Sequence, residues 1–178
     1  MLYRFHGKTP VIGSDCFIFP EATIGGNVHL ANRIIVYPGT VVRAELGEIH
    51  IGEETNVQEN VSIHSDEGLP VQIGNRVTIG HGAILHDCTV GDDTIIGMGA
   101  IVQNKAVIGK HCLIGAGALV KQGMVVPDGS VVYGVPARYI RPVSSAELEE
   151  IKADTALYQS HIDDLLAQNL PQAALMEK

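Results

Sequence analysis

The chain repeats an aliphatic residue every six positions, and this phase constrains the fold more than any other feature. The leading residues run Ile12, Ile18, Ile24, Leu30, Val36 and Val42, then Ile51, Val57 and Ile63, then Ile73, Ile79 and Leu85. After a step of five they continue as Val90, Ile96, Val102, Ile108, Ile114, Val120, Val126 and Val132. Glycine often follows the leader, as in Ile79-Gly80, Ile96-Gly97 and Ile114-Gly115. A hexapeptide period specifies a parallel β-helix, in which each repeat makes a short strand and a corner. Each leader points inward, and glycine or a small residue serves the corner where a Cβ would crowd the backbone. One coil cannot bury its aliphatic side alone, but a stack of coils can. A β-sandwich is the alternative for an all-β chain. Its strands recur at roughly 8–12 residues and would not hold a six-residue phase.

Three histidines sit at fixed places in this repeat: His64 in Ser62-Ile63-His64, and His81 and His86 in Gly80-His81-Gly82-Ala83-Ile84-Leu85-His86. No cysteine or other fourth ligand accompanies them in a zinc-ribbon spacing. Three imidazoles with a coordination position left for water suit a catalytic metal rather than a structural one. His6, His29, His50, His111 and His161 share no such register and read as surface or packing residues.

Composition agrees with a thin aliphatic prism. Aromatic residues make up 4% of 178 residues, there is no Trp, and 20 glycines are available for corners. This length suggests one domain. A formal charge of −8 argues against nucleic acid or an anionic membrane as partner. No apolar run reaches the ~18 residues that span a bilayer. Met1-Leu2-Tyr3-Arg4-Phe5-His6 is too short and polar for a signal peptide. Cys16, Cys88 and Cys112 read as buried thiols in a reducing cytosol, and Cys88 as a packing residue despite its closeness to His86.

The pattern changes after Pro142. Residues 1–142 are assigned to the β-helix domain and 143–178 to a C-terminal helix and tail. Ser144 and Glu147 have capping-box spacing. Leu148, Ile151, Thr155, Tyr158, Ile162 and Leu165 then form one stripe at three- and four-residue steps. A helix over 144–168 is expected to lay this stripe on the β-helix or a neighbouring subunit. The segment from Asn169 is expected to be loosely ordered.

Arg43-Ala44-Glu45, Asn56-Val57-Gln58-Glu59, His64, His81 and His86 together resemble the γ-class carbonic anhydrases and their bacterial hexapeptide-repeat relatives. The resemblance runs to about Arg141 and into the helix. It implies a left-handed parallel β-helix, three repeats per coil, with a C-terminal α-helix, assembled as a homotrimer. The left hand comes from the resemblance alone, since general crossover rules favour the right. It also implies zinc, or iron or cobalt, held by His64 and His86 of one subunit and His81 of its neighbour. The implied reaction is reversible hydration of carbon dioxide to bicarbonate by a hydroxide generated on the metal, a lyase activity in the cytoplasm.

Three repeats per coil place Arg43, His64, His86 and Gln103 in one column, once insertions near Leu46–His50 and after His64 are set aside as loops. Consecutive members are then roughly 4.8 Å apart. His81 lies two positions after its leader, at a different corner, so a neighbouring subunit is needed to bring it to the pair. A three-sided prism packs naturally as a cyclic trimer.

The resemblance gives further roles. Gln58 orients the hydroxide or substrate, and Arg43 and Glu45 link subunits, with Arg43 also assigned to bicarbonate. Glu59 stands near the metal. Tyr133 lies where relatives place a residue at the pocket, and Glu67 is the candidate proton shuttle. Glu45 and Glu59 replace family aspartates, and a carboxylate moved by ~1 Å matters at a catalytic site. The loop after Glu45 is short, and without a proton shuttle the regeneration of hydroxide would limit turnover and leave hydratase activity weak. Two other readings fit the repeat. An acyl-coenzyme A-dependent hexapeptide acyltransferase would share Tyr133-Gly134-Val135-Pro136-Ala137-Arg138 but needs no metal. A non-catalytic trimeric scaffold would keep the metal as a staple between subunits.

Overall fold

The structure, a computed structural model, describes residues 1–176. Its strands are short because each ends at a corner, and they stack into the three faces of a parallel β-solenoid. One face carries Ser62–His64, Ile84–His86, Ile101–Val102 and Leu119–Val120, preceded by the first halves of Thr23–Leu30 and Val41–Ile51. A second carries Val11–Ile12, the later halves of those two long strands, and Val71–Ile73, Thr89–Val90, Val107–Ile108 and Val125–Val126. The third runs from Phe17–Ile18 through Ile35–Val36, Asn56–Val57, Thr78–Ile79, Ile95–Ile96 and Leu113–Ile114 to Ser130–Tyr133. Arg138–Pro142 then pairs antiparallel with Ser130–Tyr133 at the end of the stack.

The ladder joins leaders three repeats apart. Val42 pairs with Ile63, Ile63 with Leu85, and Leu85 with Val102. All four are fully buried. Burying such a side chain contributes about 1.5–3 kcal/mol, so the stacked leaders supply the main driving force. Coil repetition also explains the glycines after leaders. A Cβ on Gly97 would lie 2.6 Å from the backbone nitrogen of Ala116 on the next coil. The requirement there is close coil-to-coil approach. Positive φ falls elsewhere at the corners, in one column on Asp15, Arg33, Glu54, Arg76, Asp93, His111 and Gly129.

Two sequence expectations change. The segment 46–50 is not a loop: Val41–Ile51 is one strand, paired with Thr23–Leu30 across a register shift between Gly26 and Val28. The preceding coil has the ordinary six-residue step from Ile24 to Leu30, so the extra residues after Ala44 bulge at that shift and pairing resumes at Ile49 with Val28. The loop after His64 does exist, over 65–70.

The second change concerns the tail, which is not loose. Leu2 bridges Leu175, and Leu2 N–H donates to Ala174 O at 2.9 Å. Ala173 N–H donates to Ile18 O at 2.9 Å. The first coil has an unpaired edge, and the tail covers it. The expectation for Glu177 and Lys178 lies outside the described residues.

Helix α1 (Ser145–Ala167) begins with the expected capping box of Ser144 and Glu147. The Arg141 guanidinium, with Ser144, holds the Glu147 carboxyl well below the usual range. Ile151, Thr155 and Ile162 are buried, and Ile162 packs on Phe17 and Ile35 of the third face. Gln159 donates to Arg33 O at 3.2 Å, which fixes the helix along the prism. No described helix is long and apolar enough to cross a membrane.

Candidate metal centre

The ladder aligns Arg43 with His64 and His64 with His86, so the expected column forms. The two imidazole centroids are 4.9 Å apart, tilted by 59°. His64 Nδ1 and His86 Nε2 face each other at 3.0 Å. The other nitrogen of each ring meets a carboxylate. His64 Nε2 lies 3.1 Å from Glu45 Oε2, and His86 Nδ1 lies 3.0 Å from Asp87 Oδ2. Ionised carboxylates only accept, so each ring donates its N–H to its carboxylate. The facing nitrogens are then two lone pairs pointed at one another. Only a proton or a metal ion between them makes that arrangement favourable. Imidazoles steadied by carboxylates on the far nitrogen are the usual support of a metal ligand.

Both carboxylates are themselves positioned. Burial alone would push the Glu45 carboxyl up, but hydrogen bonds from Arg43 and His64 outweigh it and hold it below its ordinary value. Arg43 and Glu45 form an ion pair. Asp87 is buried, accepts from Asn104 Nδ2 at 2.8 Å, and through Oδ1 accepts from Asp66 N–H at 2.7 Å. Asp66 Oδ1 comes within 3.7 Å of His64 Nδ1. Ligand atoms of His64, Asp66 and His86 all lie within 4.8 Å of one another.

His81 occupies another corner, with a half-exposed side chain and Nδ1 at 2.6 Å from Glu59 Oε2. Gln58 shares that corner. Its Oε1 accepts from His81 N–H at 3.1 Å, while Nε2 donates to Tyr158 Oη at 2.5 Å and to Asn56 Oδ1 at 3.3 Å. Asn56 donates to Thr78, and Thr78 to Asp154 of α1. Burial, reinforced by the nearby Asp154 and Glu59 charges, pushes the Tyr158 hydroxyl up. Within one subunit the candidate residues therefore divide. Arg43, Glu45, His64 and His86 gather at one corner, and Gln58, Glu59 and His81 at another. Tyr133 is half exposed and lines a groove with Gln58, Thr78 and Asp154. Glu67 is exposed on the loop beside Asp66. Cys88 is buried, and burial pushes its thiol up to about 12, in keeping with packing.

Sequence reasoning left out Asp66, Asp87, Asn104 and Tyr158 as site residues. Asp87 could have been found from its place directly after His86. Tyr158 gave no signal beyond its position on the apolar stripe.

A β-solenoid of three-repeat coils with a paired-histidine corner defines the class. Residues 87–122 match the family pattern described as bacterial transferase hexapeptide (six repeats). The whole fold resembles a hexapeptide transferase family protein from Anaplasma phagocytophilum, 33% identical, with a TM-score of 0.89 over 92% of this chain and 97% of that one. The chain belongs to the hexapeptide-repeat family. It is also similar to proteins named carbonic anhydrases. One from Geobacillus kaustophilus is 35% identical over 73 residues, 41% of this chain and 40% of that one. The mitochondrial γ carbonic anhydrase 3 of Arabidopsis thaliana is 36% identical over 80 residues, 42% of this chain and 31% of that one. The matched segments thus span less than half the length of these relatives.

Proposed function

We propose that the protein is a metal-dependent hydratase of the γ carbonic anhydrase type, interconverting carbon dioxide and bicarbonate in the cytoplasm at sites shared between subunits of a homotrimer. The convergence of His64 Nδ1 and His86 Nε2 at 3.0 Å, each ring held by a carboxylate at its far nitrogen, is the observation that carries this reading. The donor set fits a divalent ion, zinc first, with iron or cobalt as substitutes. Such an ion lowers the pKa of coordinated water from about 15.7 towards 7, which supplies hydroxide near neutral pH.

The chain's own residues do the positioning. Glu45 and Asp87 fix the ring orientation of His64 and His86, so that Nδ1 and Nε2 are left for coordination. Arg43 places a guanidinium in the same column, one coil before His64, where it can hold an anionic product. Gln58 is buried and held at both ends of its amide, so it presents a fixed dipole beside His81. The two corners come together only between subunits. Exposed Ile84 and Ile101 are ladder neighbours on the His64 face, with exposed Val41 beyond Ser62, and support an interface there. The similarity to named carbonic anhydrases supports the choice of carbon dioxide over an acyl donor.

Stopped-flow hydration on zinc-loaded and iron-loaded protein tests the reading. We expect rates above buffer across about pH 7 to 9, with water activated near neutrality. The His81→Ala protein should lose this activity while keeping its fold. Buffer-level rates from both metal forms, or acetyl transfer from acetyl-coenzyme A without hydration, would overturn the proposal.

A further inference from the structure

Asp66 leaves the β-helix just beyond the end of the His64 strand, yet its carboxylate turns back to the histidine pair. We propose that Asp66 is itself a metal ligand, so that each subunit alone carries a two-histidine, one-carboxylate site. The inference rests on the metal reading above but not on carbon dioxide as substrate.

Three observations support it. First, the three donors come from one chain and lie within 4.8 Å of one another, while His81 stands at a separate corner with Glu59. Second, one buried carboxylate builds the arrangement. Asp87 takes the His86 ring through Oδ2 at 3.0 Å and the Asp66 backbone N–H through Oδ1 at 2.7 Å. The turn that aims Asp66 and the ring that aims His86 are therefore set by the same side chain. Third, the root of the loop is pinned. The buried Ser65 hydroxyl donates to Leu69 O at 2.8 Å and accepts from Glu48 N–H at 3.1 Å. The backbone that carries the Asp66 carboxylate is thus fixed beside the pair.

Two imidazoles and one carboxylate would form a donor set suited to zinc, cobalt and ferrous iron, with further ligands still to be supplied. A histidine from a neighbouring subunit and a water would complete the set. Metal loading then does not require subunit assembly. Asp66 would also bring a negative charge to a bound ion, which would lessen the acidification of its water.

Cobalt(II) titration of the full-length protein, followed by visible absorption, tests the inference on the parent protein, Asp66→Ala, His81→Ala and the double variant. His81→Ala should still hold close to one Co2+ per subunit. Removing an outer support of a metal ligand costs about 10–100-fold in affinity, so loss of a direct ligand should exceed ~100-fold in Asp66→Ala. The double variant should bind no Co2+ at the concentrations that saturate His81→Ala. Asp66 is exposed, so unchanged melting of Asp66→Ala without metal would separate a lost ligand from a damaged fold. Parental Co2+ affinity and spectrum in Asp66→Ala would overturn the proposal, as would complete loss of Co2+ from His81→Ala alone. Failure of the hydratase reading would look different. Carbon dioxide turnover would be absent while Co2+ bound in the pattern expected here, and that result would support the Asp66 assignment.

Discussion

His86→Ala is expected to lower zinc affinity by more than about 100-fold and to bring carbon dioxide hydration down to the buffer rate, since even the loss of an outer support costs about 10–100-fold. The reason is the pairing at the corner. His86 Nε2 and His64 Nδ1 stand 3.0 Å apart, each with its far nitrogen committed to a carboxylate. Removing one ring leaves the other with no convergent imidazole from its own chain. Asp87→Ala should give a milder version of the same defect, about 10–100-fold, because His86 keeps its lone pair but loses its orientation. Isothermal titration with zinc, alongside stopped-flow hydration, would grade the two variants. Equal affinity in His86→Ala and the parent protein would contradict the assignment.

Gly97→Val should damage the solenoid severely, because coil spacing at that corner leaves no room for a side chain. A Cβ at Gly97 meets Ala116 N and Ile114 O, both at 2.6 Å, and these are backbone atoms that no rotamer change can move. Overpacking typically costs about 1–3 kcal/mol, and rigid neighbours place this site at or above the upper end. A loss of ~3 kcal/mol corresponds to about 6–12 °C in melting temperature for a chain of this size. Gly123 provides the control. It has φ +70, but a Cβ there would meet no atom within 4 Å. Gly123→Ala therefore bears only the left-handed backbone penalty of about 1–2 kcal/mol. Differential scanning calorimetry of the two variants should rank them in that order. The reverse order would mean that corner conformation, not coil spacing, limits the fold.

Much of the fold and site was legible in the sequence because the repeat ties sequence position to spatial position. Once three repeats make a coil, Arg43, His64 and His86 must align, and their ladder partners do. His81 was legible as the outlier for the same reason. What escaped was whatever leaves the repeat. Asp66 sits on the 65–70 loop, where no register predicts direction; its aim is set by a hydrogen bond to Asp87 from the next coil. Tyr158 looked like one more residue of an apolar helix stripe, and only docking of α1 carries its hydroxyl to Gln58. Segment 46–50 looked like a loop, yet the strand absorbs the insertion as a bulge and resumes its pairing at Ile49 and His50. The tail has no periodicity at all, and pairs because the first coil offers an open edge.

Anomalous diffraction from crystals of the zinc-loaded protein tests the central claim most directly. One zinc per subunit is expected within about 2.0–2.1 Å of both His64 Nδ1 and His86 Nε2, with His81 of an adjacent subunit completing the set. A zinc peak away from this pair, or full zinc occupancy with His81 turned away in every subunit of the assembly, would contradict the shared hydratase site.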